Sequence, residues 1–210
     1  RQRGKTLTVR DLPRRPDGND LVGVRFDIVK DDGEAKRKLK TLLARRRARF
    51  PHAGPPQVLT ATNRCVDAWN ATVQEIYNRN YYKRKEYLEI DYKGGKERYC
   101  VNDPVVNLKN MYRDGEDGSD KSMMVANGEV GVVESVRSFG HNRGITVVFV
   151  NPQNPHEVER IVYPMSALNH GCKLAYILTV HKAQGSEYAH VVVVGFFKAE
   201  HMVRRNFLYT

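Results

Sequence analysis

The stretch "AYILTVHKAQGSEYAHVVVVGF", residues 175–196, sets two apolar runs on either side of a short polar corner, "HKAQGSE" at 181–187. The runs are rich in β-branched residues and do not alternate, which is the pattern of strands covered on both faces. The corner between them holds a basic pair, an amide, a glycine, a hydroxyl and an acid. A loop or first helical turn at the end of a buried strand is where open α/β sheets place ligands, because free backbone N–H groups there suit phosphate. Read from its residues alone, the corner is either such a site or a plain polar connection between strands, since Gly and Ser are ordinary turn residues.

Upstream, "PQVLTAT" (56–62) reads as a short buried strand after a Pro/Gly turn. The spacing in "TNRCVDAWNATVQEIYNRNYY" (62–82) predicts a helix with Val66, Trp69, Val73, Ile76 and Tyr77 on one face. Thr62 or Asn63 is its N-cap. An earlier helix is predicted over 34–50, "EAKRKLKTLLARRRARF", with Ala35, Leu39, Leu42, Leu43 and Phe50 as an apolar stripe under a cationic face. "LVGVRFDIV" (21–29) reads as a strand pair or hairpin edge. This βαβα rhythm argues an open sheet flanked by helices.

From about residue 86 the texture changes to short strands: "EYLEIDY", "ERYCVNDPVVNLKN", "GEVGVVESVRS", "ITVVFVN" and "VERIVYP", with a polar loop "YRDGEDGSDKS" among them. Strands every ten or so residues without intervening helices signal a small antiparallel barrel or sandwich. The α/β rhythm resumes with "KLAYILTVH" and "AHVVVVGFF". The predicted fold is therefore an α/β domain interrupted by a β module, divided as 1–88, 89–166 and 167–210.

The chain has 210 residues, 40% of them hydrophobic, enough for one sizeable core or two smaller ones. Its 35 Lys and Arg against 24 Asp and Glu leave a net charge of +11, which favours a polyanionic partner through counterion release. Nucleic acid leads, and an anionic membrane surface follows. No apolar run approaches the roughly 18 residues needed to span a bilayer, and nothing near Arg1 reads as a secretion signal. Cys65, Cys100 and Cys172 lie far apart and never in CxxC spacing, which signals neither a disulfide framework nor a metal site. An intracellular, reducing compartment, cytoplasm or nucleus, is the expectation. "RGKT" at 3–6 is not read as a phosphate loop: the first glycine of that motif would precede residue 1, and Pro13 breaks any helix after it.

The stretch at 175–196 is similar, nearly residue for residue, to motif V of superfamily 1 helicases of the RecD-like branch. "VLTATNRCVDAWNATVQ" resembles the segment around their motif IV, which opens the second RecA-like domain. "VNDPVVNLKN" with "VANGEVGVVESV" resembles their inserted SH3-like barrel, and the closing "RRNFLYT" looks like the run into motif VI, whose arginine would lie just beyond Thr210. The resemblance covers roughly 20–210. It implies a RecA-like domain interrupted by an SH3-like barrel, forming the second motor portion of an ATP-dependent 5′-to-3′ DNA helicase. Thr179, His181 and Lys182 would face single-stranded DNA, with Thr62 and Asn63 as further backbone contacts. Gly185 and Glu187 would face the γ-phosphate and ribose of ATP, and Gln184 and Ser186 would link the two sites. The chain departs from the pattern at Thr60 and Ala61, where relatives often carry an aromatic and an arginine for the nucleotide. The phosphate loop and the residues holding Mg2+ would belong to a first RecA-like domain of the same protein, so the chain alone is expected to be inactive. A start without methionine and a stop inside a motif fit a piece of a longer protein. Two rivals stay open: part of a superfamily 1 RNA helicase, and a non-enzymatic docking module that uses the barrel and the arginine-rich 34–50.

Overall fold

The computed structural model describes residues 31–194, other than 52–53, 61, 85–86, 93–94, 115–120, 138–139, 152–155, 185, 187 and 189. The strand expected at 21–29, the "RGKT" at 3–6 and the "RRNFLYT" run lie outside the described residues. Helix α1 (Asp32–Arg49) starts where the Asp31 carboxylate accepts from the Glu34 amide at 2.8 Å. Ala35, Leu39 and Leu43, each four residues apart, are buried, whereas Leu42 and Phe50 of the expected stripe are 40% and 50% exposed. Phe50 instead lies under the guanidinium groups of Arg46 and Arg49. Arg47 stacks on Tyr77 and donates to the Pro51 carbonyl. Part of the cationic face is thus engaged within the chain.

Strand β1 (Gln57–Thr60) leads into α2 (Asn63–Arg84) through Thr62, whose hydroxyl accepts from the Cys65 amide at 3.4 Å and whose carbonyl accepts from the Val66 amide. Val66, Trp69 and Val73 are buried, and Ile76 and Tyr77 pack at the margin of the same core. There follow β2 (Tyr87–Tyr92), β3 (Gly95–Cys100), β4 (Pro104–Asn107), β5 (Met111–Asp114), β6 (Lys121–Val125), β7 (Val130–Arg137), β8 (Gly144–Val150) and β9 (Val158–Pro164). The chain then runs through α3 (Met165–Gly171), β10 (Cys172–Leu174), β11 (Ile177–Thr179), α4 (Val180–Ala183) and β12 (Val191–Val194). No helix of the described residues is long and apolar enough to cross a membrane.

Two main sheets result. One is parallel, in the order β11-β1-β12; the other is antiparallel, in the order β10-β4-β7-β8-β9, with β2-β3 and β5-β6 as separate hairpins. The fold is mixed α/β, as expected. Among the described residues the antiparallel sheet stays open, with β10 and β9 as its edges, so the expected closed barrel is not seen. Three details differ from the sequence reading. The arms of the presumed polar loop 112–122 pair as strands β5 and β6. "KLAYILTVH" is not one strand: Lys173 pairs antiparallel with Val106, while Ile177 pairs parallel with Val58. The Asn70 side chain bridges this jog, donating to the Leu174 carbonyl at 3.1 Å and accepting from the Ile177 amide at 2.9 Å. And β12, expected to be covered on both faces, leaves Val191 and Val193 45% and 43% exposed among the described residues.

Where the sheets meet lies a buried polar hub. Asp103 accepts from the Cys100 amide at 2.7 Å and the Tyr176 hydroxyl at 2.8 Å, and from the side-chain amides of Gln74 and Asn78. It ties α2 and the lead into β11 to the turn before β4. Burial pushes the Asp103 carboxyl up to about 7, against the pull of these four donors. The folded chain therefore holds a proton that the unfolded chain has already released, and this contribution to stability falls as pH rises from about 4 to about 7. Thermal unfolding of wild type and Asp103→Asn, compared at pH 4.5 and 7.5, checks this: the variant lacks the slope, so its stability relative to wild type rises with pH.

Gly144 marks the tightest approach in the antiparallel sheet, where a Cβ would collide with the Tyr163 carbonyl oxygen of β9. Because the colliding atom is backbone, relief requires the strands to part. Gly144→Ala is expected to cost about 1–3 kcal/mol, the usual range for overpacking, read as a lower midpoint in urea unfolding at unchanged slope.

Candidate nucleic-acid interface

The C-terminal ends of the parallel strands stand together, with Thr60 of β1 opposite Thr179 of β11 on one side and Val194 of β12 on the other. Each of the first two strands hands over to a helix there: β1 through Thr62 to α2, and β11 directly to α4. This brings the two separated segments of the sequence to one place. Asn63, at the start of α2, and Thr179 and Lys182, on either side of the turn into α4, line one cavity of about 40 Å³, water-sized, between the two helices.

Two residues that sequence reading missed line the same cavity. Lys173 of β10 forms an ion pair with Asp67 at 3.1 Å and lies 4.4 Å from the Tyr92 ring centroid. Burial pulls the Lys173 pKa down, but Tyr92 and Asp67 outweigh it and the net direction is upward. Lys182 moves the other way: partial desolvation, and then the charge of Lys173, lower its pKa. Two like charges thus share the cavity, with Asp67 committed to one of them, and an anion at its mouth would relieve the repulsion. Asp67 was visible as the residue four positions after Asn63, on the same helix face. Lys173 was visible as the one charge heading an apolar run.

Thr62 caps α2, with its hydroxyl oxygen already accepting from Cys65. Thr179 is buried, and His181 and Lys182 are exposed on α4. Gln184 is exposed just past the end of α4, and Ser186 is exposed with its amide donating to the Ala183 carbonyl at 3.1 Å. Gly185 and Glu187, the two residues expected to face the nucleotide directly, lie outside the described residues. Among the described residues no group of three or more His, Cys, Asp or Glu could hold a metal ion.

Residues 174–210, which include β11, α4 and β12, match the UvrD-like helicase C-terminal domain family. No curated protein matches the chain. Among solved structures, the chain is similar to the Pif1 helicase from Candida albicans, at 17% identity and a TM-score of 0.41, over 75% of this chain and 46% of that one. It is also similar to Bacteroides Pif1 bound to ssDNA, at 15% identity and a TM-score of 0.36, over 65% of this chain and 33% of that one. A third similar structure is Bacteroides Pif1 in complex with ADP-AlF3 and ssDNA, at 16% identity and a TM-score of 0.35, over 66% and 34%. The chain spans less than half the length of each of these proteins.

Proposed function

We propose that the chain is the second motor portion of an ATP-dependent superfamily 1 DNA helicase of the RecD-like branch, working 5′ to 3′. In this reading 1–88 and 167–210 form one RecA-like domain, and 89–166 is its SH3-like insertion. The corner at the C-terminal ends of the parallel strands grips single-stranded DNA. The observation that carries the reading is the convergence of Asn63, Thr179 and Lys182 on one cavity from segments more than a hundred residues apart. The match of 174–210 to a helicase C-terminal domain family supports it.

Each proposed contact has a physical basis. Lys182 offers an ammonium to a backbone phosphate and Thr179 a hydroxyl; His181 stacks on a base or donates. Thr62 and Asn63 add backbone contacts at the start of α2. In the same reading Gly185 allows close approach to the γ-phosphate, Glu187 accepts from the ribose hydroxyls, and Gln184 and Ser186 link the nucleotide to the strand. ATP with Mg2+ supplies the hydrolysable phosphate between this domain and a first RecA-like domain of the same protein, which holds the metal. Cys65, Cys100 and Cys172 are free thiols, which suits a reducing intracellular compartment. Competition decides the nucleic acid: an unlabelled DNA single strand is expected to displace a labelled one from the chain more effectively than RNA of the same sequence. A preference for RNA would sink the DNA assignment.

A further inference from the structure

A second opening lies on the antiparallel sheet, away from the parallel strands: a cleft of about 880 Å³ at the joined ends of β7, β8 and β9, rimmed by β2 and α3. Its size is that of pockets that hold nucleotide-sized ligands. Among the described residues Arg137, His141 and Arg143 line it against a single acid, Asp91. Among the described residues neither arginine side chain has an acidic partner.

Two buried polar atoms there lack partners among the described residues. Arg143 Nε is a buried donor with nothing to donate to, and Asn169 Oδ1 is a buried acceptor with nothing to accept, while its Nδ2 donates to the Asp91 carbonyl at 3.3 Å. Each such orphan costs free energy unless a ligand satisfies it. The two are complementary: an anionic oxygen satisfies the guanidinium, and a hydroxyl or amine satisfies the amide oxygen.

The backbone holds the arginines in place. The Arg143 carbonyl accepts from the Met165 amide at 2.8 Å, and the next residue, Gly144, is the one wedged against the Tyr163 carbonyl. In the ladder Gly144 sits between Arg137 of β7 and Pro164 of β9. Arg137 is thus the last residue of one paired strand and Arg143 immediately precedes the next, which favours binding by lowering the ordering cost.

We infer that this cleft binds a phosphate ester that carries a neighbouring hydroxyl or amine, as a nucleotide does, whether free or within a strand. The phosphate meets Arg143 and Arg137, and the neighbouring donor meets Asn169 Oδ1. The site is independent of the strand grip.

Two probes test it on the 210-residue chain: adenosine 5′-monophosphate by titration calorimetry, and a fluorescein-labelled oligodeoxyadenylate, whose bases carry the amine, by anisotropy. Each is run on wild type, Arg143→Gln and Arg137→Gln, the last at an exposed position that leaves the fold intact. The expected result is at least a ten-fold loss of affinity for one probe in both variants. A loss for the monophosphate assigns the cleft to free nucleotide; a loss for the oligonucleotide alone assigns it to a strand. Unchanged binding of both probes in both variants overturns the site and leaves the grip at Lys182 standing.

Discussion

Asp103→Ala is expected to destabilise the chain by about 3–5 kcal/mol, a large part of the roughly 5–15 kcal/mol that holds a domain together. The side chain is fully buried and receives four hydrogen bonds, from the Cys100 amide, the Tyr176 hydroxyl and the amides of Gln74 and Asn78. Truncation leaves these donors in a space that closes against water, and each orphaned group costs about 1–3 kcal/mol. Partial relief is available, because Asn78 Nδ2 also lies 3.0 Å from the Tyr176 hydroxyl and Gln74 Nε2 lies 2.7 Å from the Arg98 carbonyl. That relief is why the expected sum stays below four full penalties. Urea unfolding followed by circular dichroism measures the loss. A cost under about 1 kcal/mol would mean that the hub does not join the two sheets as described.

Lys182→Ala is expected to weaken binding of single-stranded DNA roughly ten-fold, because one charge-assisted contact to phosphate is worth about 1.5 kcal/mol or more. The lysine is exposed, yet its pKa is lowered by partial desolvation and by Lys173. A phosphate replaces that unfavourable setting with an opposite charge. Removing one such contact should also flatten the dependence of log affinity on log salt by about 0.7, the single-strand value per neutralised phosphate. The fold should be untouched, since the side chain is exposed at the end of a four-residue helix. Anisotropy titrations across a salt series give both quantities. An unchanged slope would remove Lys182 from the strand path.

Much of this was legible in the sequence where local chemistry dominates. Period-four spacing announced Ala35, Leu39 and Leu43 of α1, and Thr62 with the apolar face of α2 announced a capped helix. β-branched runs announced strands β1, β11 and β12. What was not legible depends on pairings distant in sequence. Nothing in "KLAYILTVH" says that its first residues join an antiparallel sheet and its later ones a parallel sheet; the Asn70 side chain, about a hundred residues upstream, decides that. The polar composition of 112–122 hid two strands because an exposed hairpin carries little apolar signal. At the site, motif resemblance named Lys182 and Asn63 separately. Their meeting, and the presence of Lys173 and Asp67 beside them, came only from the packing of α2 against the end of β11.

The proposed grip puts affinity for a single strand in this corner and not in the arginine-rich helix. Two variants that each remove one positive charge separate the alternatives: Lys182→Ala at the corner, and Arg45→Ala on the exposed side of α1. Binding of a labelled oligothymidylate is measured for both and for wild type across one salt series. The grip predicts a roughly ten-fold loss and a flatter salt slope for Lys182→Ala, with Arg45→Ala close to wild type. The reverse pattern, with binding lost in Arg45→Ala and kept in Lys182→Ala, would contradict the grip and make the chain a basic docking module.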